Sequence, residues 1–339
     1  MGIRGLTGWI RWAAKQTIRT PQWEEWRGKT IGIDILGFLY TAKARQQCPF
    51  LYIGKLIATC KKYEIRPIPI FDGKPPEEKR EALLQRSRLR HESDTKRTSL
   101  TTELESLTMS ESQRETIECE VRKLQKRTCY LTSDERDQAK KLFYACGILS
   151  LNASGEADNV LAYLVKRGCI DAVMSNDLDL LARGVETLLV PEYVLSDDVP
   201  KWTQYTLSDI LHSVQLDYNQ FLEMCVLMGC DYTVGQYSIP YKSAFWAIKY
   251  RGSIEKTLET VGVDTAVYKK AIQILRGDQE TKESLMGEKQ WEKWASGSPV
   301  CEPDVLQSLR KSVLESMSEQ DFLQLCQSQN DHGEERSFA

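Results

Sequence analysis

Several kinds of residue and pattern are scarce in this 339-residue chain, and each absence excludes a class of protein. It has only 3 histidines, which lie far apart, and none of its 10 cysteines forms a Cys-x-x-Cys pair, so we do not expect a zinc site. This is also not the cysteine density of a disulfide scaffold, and we expect reduced thiols in an intracellular protein. No apolar run approaches the roughly 18 residues of a membrane span. Arg4, Arg11 and Lys15 interrupt the first helical stretch, so a signal peptide is not expected.

Charge is nearly balanced over the whole chain but not along it. The 45 Lys and Arg residues against 48 Asp and Glu residues give a formal net charge of −3. Residues 1–130 carry a net charge of +9, and residues 131–339 carry −12. A total near zero therefore does not exclude a polyanionic partner, because the relevant charge can lie on one part of the surface.

Short β-rich runs alternate with longer helical patterns in the first two thirds of the chain. The predicted strands are residues 30–34, 66–72, 147–151, 171–175 and 188–190. The predicted helices between them are residues 50–63, 133–146, 157–167 and 178–183. This alternation predicts an α/β fold, with a mostly parallel sheet flanked by helices.

A charged segment at residues 75–132 interrupts this alternation. Leu100, Leu104 and Leu107 recur at helical spacing, as do Ile117, Val121 and Leu124, which predicts a helical hairpin standing away from the core. The segment is thus an insertion within a core of residues 1–234. A helical region follows over 235–327, with Trp246, Trp291 and Trp294 as expected packing anchors, and 328–339 is a polar tail.

Acidic residues follow four of the predicted strands. Asp34 and Asp72 end the first two, Glu156 and Asp158 follow the third, and Asp177 and Asp179 follow the fourth; Asp231 comes after an apolar helix. Sites in open α/β sheets form outside the carboxyl ends of the strands, so these side chains are expected to converge. Any one of them could simply cap a helix. Seven together would repel one another unless divalent cations such as Mg²⁺ compensate the charge.

Basic residues follow the second strand. Lys79 and Arg86 lie two helical turns apart and Arg90 one turn further, so the three share a face that could hold a phosphate. Glu77, Glu78 and Glu81 allow another interpretation, an ordinary salt-bridged surface helix. The phosphate interpretation is favoured by the neighbouring acids, and metal-assisted phosphodiester hydrolysis is the chemistry that the pattern indicates.

Six ordered motifs resemble the flap endonuclease/XPG-type family of structure-specific 5′ nucleases. They are residues 1–6 (MGIRGL), 33–34 (ID), 71–76 (FDGKPP), 155–158 (GEAD), 177–179 (DLD) and 229–232 (GCDY). The resemblance implies a PIN-like core, a helical arch, a C-terminal helical DNA-binding region and two Mg²⁺ ions, for which Mn²⁺ could substitute. It also implies cleavage of DNA near single-strand/double-strand junctions, at 5′ flaps, nicks or free 5′ ends, in replication, repair or recombination.

The family's functional residues carry over onto specific positions of this chain. The metal-binding acids fall on Asp34, Asp72, Glu156, Asp158, Asp177, Asp179 and Asp231. The arch cations fall on Lys79 and Arg86, the base-stacking tyrosine on Tyr40 and the N-terminal glycine on Gly2. Arg90, Lys242, Lys249 and Arg251 are further expected phosphate contacts. Tyr40 could equally be a core aromatic.

The chain also departs from the family pattern. The stretch from Asp34 to Asp72 is short, which disfavours a wedge and a 3′-flap pocket. The hairpin normally reading Gly-hydrophobic-Gly is Ser238 to Lys242 here, and Pro240 cannot donate an amide, which disfavours K⁺ binding. No sliding-clamp peptide is recognisable. We expect a monomer acting in the nucleus of a eukaryotic cell or at a viral replication site.

The sequence does not distinguish flap endonuclease from 5′ exonuclease preference within the nuclease hypothesis. It also leaves two other functions open. One is a catalytically weak protein that binds DNA junctions, which retention of all seven acids disfavours. The other is a small-molecule phosphatase of the D-x-D type, disfavoured because Asp177 and Asp179 lie late in the chain and such an enzyme needs no basic arch.

Overall fold

A computed structural model describes residues 2–45, 48–104, 110–192, 201–277 and 284–285. The strands are β1 (Thr30–Asp34), β2 (Arg66–Phe71), β3 (Leu151–Asn152), β4 (Ala172–Met174), β5 (Thr187–Glu192) and β6 (Lys201–Thr206). The helices before β3 are α1 (Leu6–Ala13), α2 (Ile35–Ala44), α3 (Pro49–Lys62), α4 (Arg80–Leu104), α5 (Glu111–Thr128) and α6 (Ser133–Ala145). Those after it are α7 (Ala157–Lys166), α8 (Asp179–Ala182), α9 (Leu207–Val214), α10 (Tyr218–Met228), α11 (Tyr241–Arg251), α12 (Ile254–Glu259) and α13 (Ala266–Arg276).

The six strands form one mixed sheet in the order β3-β2-β1-β4-β5-β6. Strands β1 to β5 are parallel to their neighbours, and β6 runs antiparallel to β5. The chain moves outward from β1 through β2 to β3 and then crosses to β4 on the other side of β1. Such a switch point opens a crevice at the carboxyl ends of the central strands, which is where the acidic residues lie.

An apolar cluster covers each face of the sheet, as expected for a sheet between two layers of helices. Ile31 and Ile33 of β1 belong to the cluster with α2, α3 and α6, whereas Ile68 and Ile70 of β2 belong to the cluster with α1 and α7 to α13. Gly32 separates the two isoleucines of β1. A Cβ atom there would come within 2.6 Å of Leu161 Cδ2, so the glycine allows α7 to approach the central strand closely.

Helices α4 and α5 form the predicted helical hairpin, hereafter the arch. Ala82 is buried on α4, and Val121 and Leu124 are buried on α5, so little of the arch contacts the core. An ion pair between Lys96 and Glu120 joins the two helices. Leu107, which we expected in the stripe of α4, lies outside the described residues.

Helices α11, α12 and α13 pack onto the same apolar cluster as α1 and α10. The expectation that Trp246 is a packing anchor is wrong, because its side chain is 42% exposed; Phe245 and Ile248 make the contact with the core instead. Trp291, Trp294, most of the expected 235–327 region beyond Arg276 and the 328–339 tail lie outside the described residues. No helix in the described part of the chain is long and apolar enough to cross a bilayer.

Two strands differ from the sequence expectation. Residues 147–150 do not form a strand, because Gly147 adopts φ 71° and the Ile148 N–H closes the end of α6 on the Phe143 carbonyl, 2.9 Å away. Only Leu151 and Asn152 pair with β2. The sequence analysis also missed β6, whose Trp202 is buried against Trp23 while Lys201 and Thr203 point away from that core.

Candidate active site

The carboxyl edge of the sheet brings together the seven acids predicted from the sequence. Asp34 is the last residue of β1, and Asp72 directly follows β2. Glu156 is the N-cap of α7 and Asp158 lies in its first turn; Asp179 begins α8, two residues after Asp177. Asp231 follows α10 and is buried. Parallel strands thus deliver six of the acids, and a helix end supplies the seventh.

Mutual repulsion shows that these carboxylates form one electrostatic cluster. Burial, together with the charges of Asp72 and Asp177, raises the pKa of Asp34 to about 7. Burial raises the pKa of Asp158 well above its usual value, and the charges of Asp177 and Asp34 add to that effect. The pKa values of Asp34 and Asp158 thus show that neighbouring acids share one site.

The same repulsion extends to the edges of the cluster. Burial and the charge of Asp177 raise the pKa of Asp179 well above its usual value, and Asp231 adds to it. Burial also raises the pKa of Asp72, with a further contribution from Glu156. Neighbouring carboxylates therefore raise the pKa of Asp34, Asp72, Asp158 and Asp179.

Gly73 allows the segments that follow β2 and β3 to pack closely against each other. A Cβ atom at this position would lie 2.2 Å from the Ala153 carbonyl oxygen, so no larger residue fits against the loop before α7. The Gly73 N–H donates to the Gly155 carbonyl at 2.7 Å. The Ala157 N–H then donates to Asp72 Oδ1 at 2.6 Å, which holds that carboxylate at the start of α7.

The N-terminal segment is part of the site. The Ile3 N–H donates to Asp179 Oδ1 at 2.7 Å, and a Cβ atom on Gly2 would lie 2.4 Å from the same oxygen. Gly2 therefore allows the chain to pass directly over Asp179. On the other side of the cluster, Ser175 Oγ donates to Asp34 Oδ2 at 2.9 Å and fixes the carboxylate at the end of β1.

Lys79 and Arg86 reach down from the base of the arch onto two of the acids. Lys79 lies in a 3₁₀ turn directly before α4, not within a regular helix, but it still faces the same way as Arg86. Lys79 Nζ pairs with Glu156 Oε1 and lies 3.6 Å from Asp231 Oδ2. Arg86 pairs with Asp231. Burial opposes the charged form of Lys79, but Tyr232 and Glu156 raise its pKa, so it stays protonated.

Arg183 was not predicted from the sequence, and its charge offsets part of the acid cluster at Glu156. It is 3% exposed, and its guanidinium lies 3.2 Å from Glu156 Oε2 and donates to the Tyr232 hydroxyl at 2.8 Å. Burial opposes its charge, yet Tyr232, Asp158 and Glu156 raise its pKa. Burial likewise works against ionisation of Glu156, but Lys79 and Arg183 lower the pKa of that carboxyl. A lone arginine after the apolar run Leu180–Ala182 was the available signal.

A cleft of about 530 Å³ opens between the arch and the acids. Its lining includes Asp72, Glu156, Lys79, Arg86, Tyr40 and Arg90. Arg136 of α6 also lines it and was missed by the sequence analysis; its Nε is buried without a hydrogen-bond partner among the described residues. The cleft thus combines an acidic floor with a basic rim and one aromatic side chain.

The three C-terminal cations predicted to contact phosphates lie on α11, and none of them lines the cleft. Lys249 Nζ donates to the Val214 carbonyl at 2.6 Å, and Arg251 donates to Thr260 Oγ1 at 2.5 Å. Lys242 is exposed, and its Nζ lies 5.3 Å from the centre of the Trp12 ring. Of the three, Lys242 is the one whose ammonium group is best placed to contact a ligand.

The hairpin before α11 uses several of its backbone groups within the protein. The Ile239 N–H donates to the Leu227 carbonyl at 3.2 Å, and the Tyr237 carbonyl accepts from the Tyr268 hydroxyl at 2.6 Å. Pro240 has no N–H to donate. Fewer backbone groups are therefore left for an ion or a phosphate.

The donor chemistry of the cluster fits a hard divalent cation. All seven groups are carboxylates, which Mg²⁺ prefers, and the raised pKa values of Asp34, Asp158 and Asp179 reflect burial and crowded charge that a cation would offset. In the described part of the chain, however, no three acid, histidine or cysteine side chains converge closely enough to ligate one ion. Glu156 and Asp231 instead bind Lys79 and Arg86. Metal binding thus requires the carboxylates to draw together.

Comparison with known proteins identifies the family. The XPG N-terminal domain matches residues 1–93, and the XPG I-region matches residues 147–231. Flap endonuclease 1 of Entamoeba dispar is 30% identical over 275 residues, which cover 76% of this chain and 70% of that protein. The chain belongs to the XPG family of nucleases. It is a structure-specific 5′ nuclease that acts on DNA.

Solved structures of XPG-family nucleases share its fold. Flap endonuclease-1 from Methanococcus jannaschii superposes with a TM-score of 0.61 at 18% identity, covering 92% of this chain and 96% of that one. The catalytic core of Rad2 in complex with DNA substrate gives 0.62 at 17% identity, covering 96% and 100%. The expected fold class and the family resemblance are both confirmed.

Proposed function

We propose that this nuclease hydrolyses DNA phosphodiesters at single-strand/double-strand junctions carrying a 5′ flap, a nick or a free 5′ end, by a two-metal mechanism. One observation carries the proposal: a cluster of carboxylates that raise one another's pKa adjoins a cleft lined by Asp72 and Glu156, and the same cleft is lined by Lys79, Arg86 and Arg90. An acidic floor alone would repel a phosphate, and a basic rim alone would bind one without cutting it.

Two Mg²⁺ ions, or Mn²⁺ in their place, would be held by Asp34, Asp72, Glu156, Asp158, Asp177, Asp179 and Asp231. When bound, such ions supply charge stabilisation at the phosphate and lower the pKa of a coordinated water. Seven carboxylates suffice for two ions, with some acids orienting bound waters rather than binding metal directly.

The chain's own cations would bind and orient the scissile phosphate. Lys79 and Arg86 pair with Glu156 and Asp231, so metal binding to these acids would release both cations towards the cleft. A phosphate there would accept bidentate hydrogen bonds from the Arg86 guanidinium, while Lys79 would act as a point charge. Arg136 and Arg90 would hold neighbouring phosphates, and Tyr40 would stack on an unpaired base.

Asp171 provides a matched control for the test of this proposal. It directly precedes β4, whereas Asp177 follows the same strand, so the two aspartates lie at opposite ends of one sheet element. On an end-labelled 5′-flap duplex with Mg²⁺, Asp177→Ala should abolish cleavage and Asp171→Ala should retain it. A panel of flap, nicked, gapped and blunt substrates then separates endonuclease from exonuclease preference by product length.

Three results would contradict the proposal. Wild-type protein that cuts no flap, nick or 5′ end would exclude it, and so would an Asp177→Ala variant with full activity. Junction binding that is unaffected by Mg²⁺ and leads to no cleavage would instead indicate the non-catalytic binding protein.

The hairpin at residues 238–242 supports a further part of the proposal, that duplex binding does not depend on K⁺. The Ile239 amide and the Tyr237 carbonyl are already used within the protein. Cleavage should therefore proceed at the same rate in K⁺ and in Na⁺ at equal ionic strength. Faster cleavage in K⁺ would exclude this part while leaving the nuclease proposal intact.

A further inference from the structure

Five aromatic rings form a continuous row across α1 and α11, away from the cleft. Tyr241, Trp12, Phe245, Trp246 and Tyr250 follow one another with centroid separations of 6.3, 5.8, 4.9 and 5.2 Å. We refer to these five residues as the aromatic row. It begins where α11 packs against Gly5 and Gly8, whose missing side chains let Tyr241 lie on α1.

The far end of the aromatic row is exposed, although large aromatic residues normally lie in cores. Trp12 is 41% exposed, Trp246 42% and Tyr250 78%. The Trp246 and Tyr250 rings are stacked with 16° between their planes, so both present flat faces along one direction. Phe245 alone among the five is buried and anchors the row to the core. The Trp246 and Tyr250 rings are therefore held by the packed part of α11 and exposed to solvent.

The two segments that contribute the aromatic row carry basic residues and no acidic ones. Residues 1–23 contain four Lys or Arg residues and no acid, and residues 232–254 contain three and no acid, in a chain with 48 acids. Lys242 Nζ lies 5.3 Å from the Trp12 ring and Lys249 Nζ lies 5.4 Å from the Phe245 ring. Aromatic rings interleaved with cations complement a polyanion that also carries flat rings.

We propose that the aromatic row is a second nucleic-acid site, which binds unpaired bases of a single strand by stacking. Paired bases bury their faces inside the duplex, so an exposed parallel stack such as Trp246 on Tyr250 has nothing to stack on along a continuous double helix. Unpaired bases can extend the stack, and Lys242 would pair with their phosphates. The choice of DNA as the ligand rests on the proposed function. The binding experiment below does not require cleavage, so it tests the aromatic row independently of nuclease activity.

The position of the aromatic row suits a strand that leaves the candidate active site. Gly2 contacts Asp179, and α1 begins four residues later; Trp12 lies six residues beyond Leu6, a rise of about 9 Å. From Tyr241 to Tyr250 the row continues for nine residues of α11, about 14 Å. A single strand passing the acids along the N-terminal segment would reach it.

Tyr63 offers a matched control on the other side of the sheet. Its half-buried ring also stacks on a tryptophan, Trp23, at 16°, and Lys62 Nζ lies 5.2 Å from its centre. It belongs to the apolar cluster of α2 and α3, whereas the aromatic row adjoins that of α1 and α10. The same substitution at Tyr63 therefore removes a similar ring without touching the proposed site.

The experiment measures fluorescence anisotropy of a labelled oligothymidylate with the full chain in EDTA, where metal-dependent cleavage cannot occur. Tyr250→Ala and Trp246→Ala should each weaken binding by about tenfold, the loss of one stacked base, while Tyr250→Phe and Tyr63→Ala should change it less than twofold. Unfolding curves establish that each variant is folded. A blunt duplex should bind all variants with similar affinity.

Several outcomes would overturn the proposal. They are unchanged oligothymidylate affinity in both alanine variants, an equal loss for the duplex, or failure of Tyr250→Phe to retain binding. Wild type that binds no oligonucleotide but self-associates through Tyr250 would assign the row to a dimer contact instead. If wild type binds the single strand through Tyr250 but cuts no flap, the proposed function fails and the stacking site stands.

Discussion

Replacing Asp34 by asparagine should stabilise the protein in EDTA while reducing the stability that it gains from Mg²⁺. Asp34 lies at the centre of the acid cluster, where burial and the charges of Asp72 and Asp177 raise its pKa from 3.8 to about 7. An asparagine of nearly the same shape removes the charge. Because most substitutions at buried polar positions destabilise, a gain here would be diagnostic.

The magnitude follows from the linkage between ionisation and folding. The unfolded chain loses the Asp34 proton near pH 3.8 and the folded chain near pH 7, so the free energy of unfolding falls as pH rises between those values. At about 1.4 kcal/mol for each pH unit, the full difference is about 4 kcal/mol above pH 7. Asparagine keeps only part of the hydrogen bonding with Ser175 and Gly37, so we expect a net gain of about 2–4 kcal/mol.

The assay is urea denaturation in EDTA at several pH values from 4 to 8, repeated at pH 8 with Mg²⁺. The advantage of Asp34→Asn over wild type should be largest at pH 8 and be gone at pH 4, where the lost hydrogen bonding leaves the variant equal to wild type or slightly less stable. Mg²⁺ should raise the stability of wild type more than that of the variant, because it binds the folded state through the ionised cluster.

Asp171→Asn is the control of opposite sign. Partial burial works against ionisation of Asp171, but the Thr30 N–H and Lys29 lower its pKa overall. Its replacement should therefore destabilise slightly, by about 1 kcal/mol or less at pH 8, since the ion pair is exposed. If Asp34→Asn is no more stable than wild type at pH 8, or if its advantage persists unchanged at pH 4, the argument from crowded charge is wrong.

Three further substitutions test other parts of the site. Arg183→Met should lower the free energy of unfolding, measured in urea, by about 3–5 kcal/mol, because it removes the cation that pairs with buried Glu156. Lys270→Met, which removes an exposed ion pair with Glu78, should lower it by less than about 1 kcal/mol. Equal losses in the two variants would contradict a stabilising role for the buried Arg183 ion pair. Gly2→Ala should slow flap cleavage at least tenfold, because the added Cβ atom would displace Asp179 at the start of α8. Gly155→Ala should not slow it, since a Cβ atom there would lie 3.8 Å from its nearest neighbour. Equal cleavage rates in the two variants would contradict a functional need for glycine against Asp179. Lys79→Met should slow single-turnover cleavage about 100-fold, with partial retention in Lys79→Arg, and an unchanged rate would remove this lysine from the mechanism.

The sequence determined the acidic edge because its information there is local. Asp34 ends an apolar strand, Asp72 and Asp177 follow two others, and parallel strands end at one edge whatever their order. The arch was also readable, since two leucine and isoleucine stripes at helical spacing require partners. The charge split has another origin, because residues 1–74 carry a net charge of +8 and residues 75–130 only +1, so the positive excess lies before the arch. That the seven acids bind metal stays a prediction.

Tertiary structure alone decided how the charges are balanced and which rings face outward. Arg183 meets Glu156 across 27 residues and Arg86 meets Asp231 across 145, separations over which no short motif carries information. Trp246 is a large aromatic residue of the kind expected in a core, yet on α11 it is its neighbour Phe245 that faces inward. Which side chains of a helix are buried depends on its rotation about its own axis when it packs on the core. That rotation is set by contacts with residues far away in the sequence, such as Tyr241 with Gly5, and not by the sequence of the helix alone.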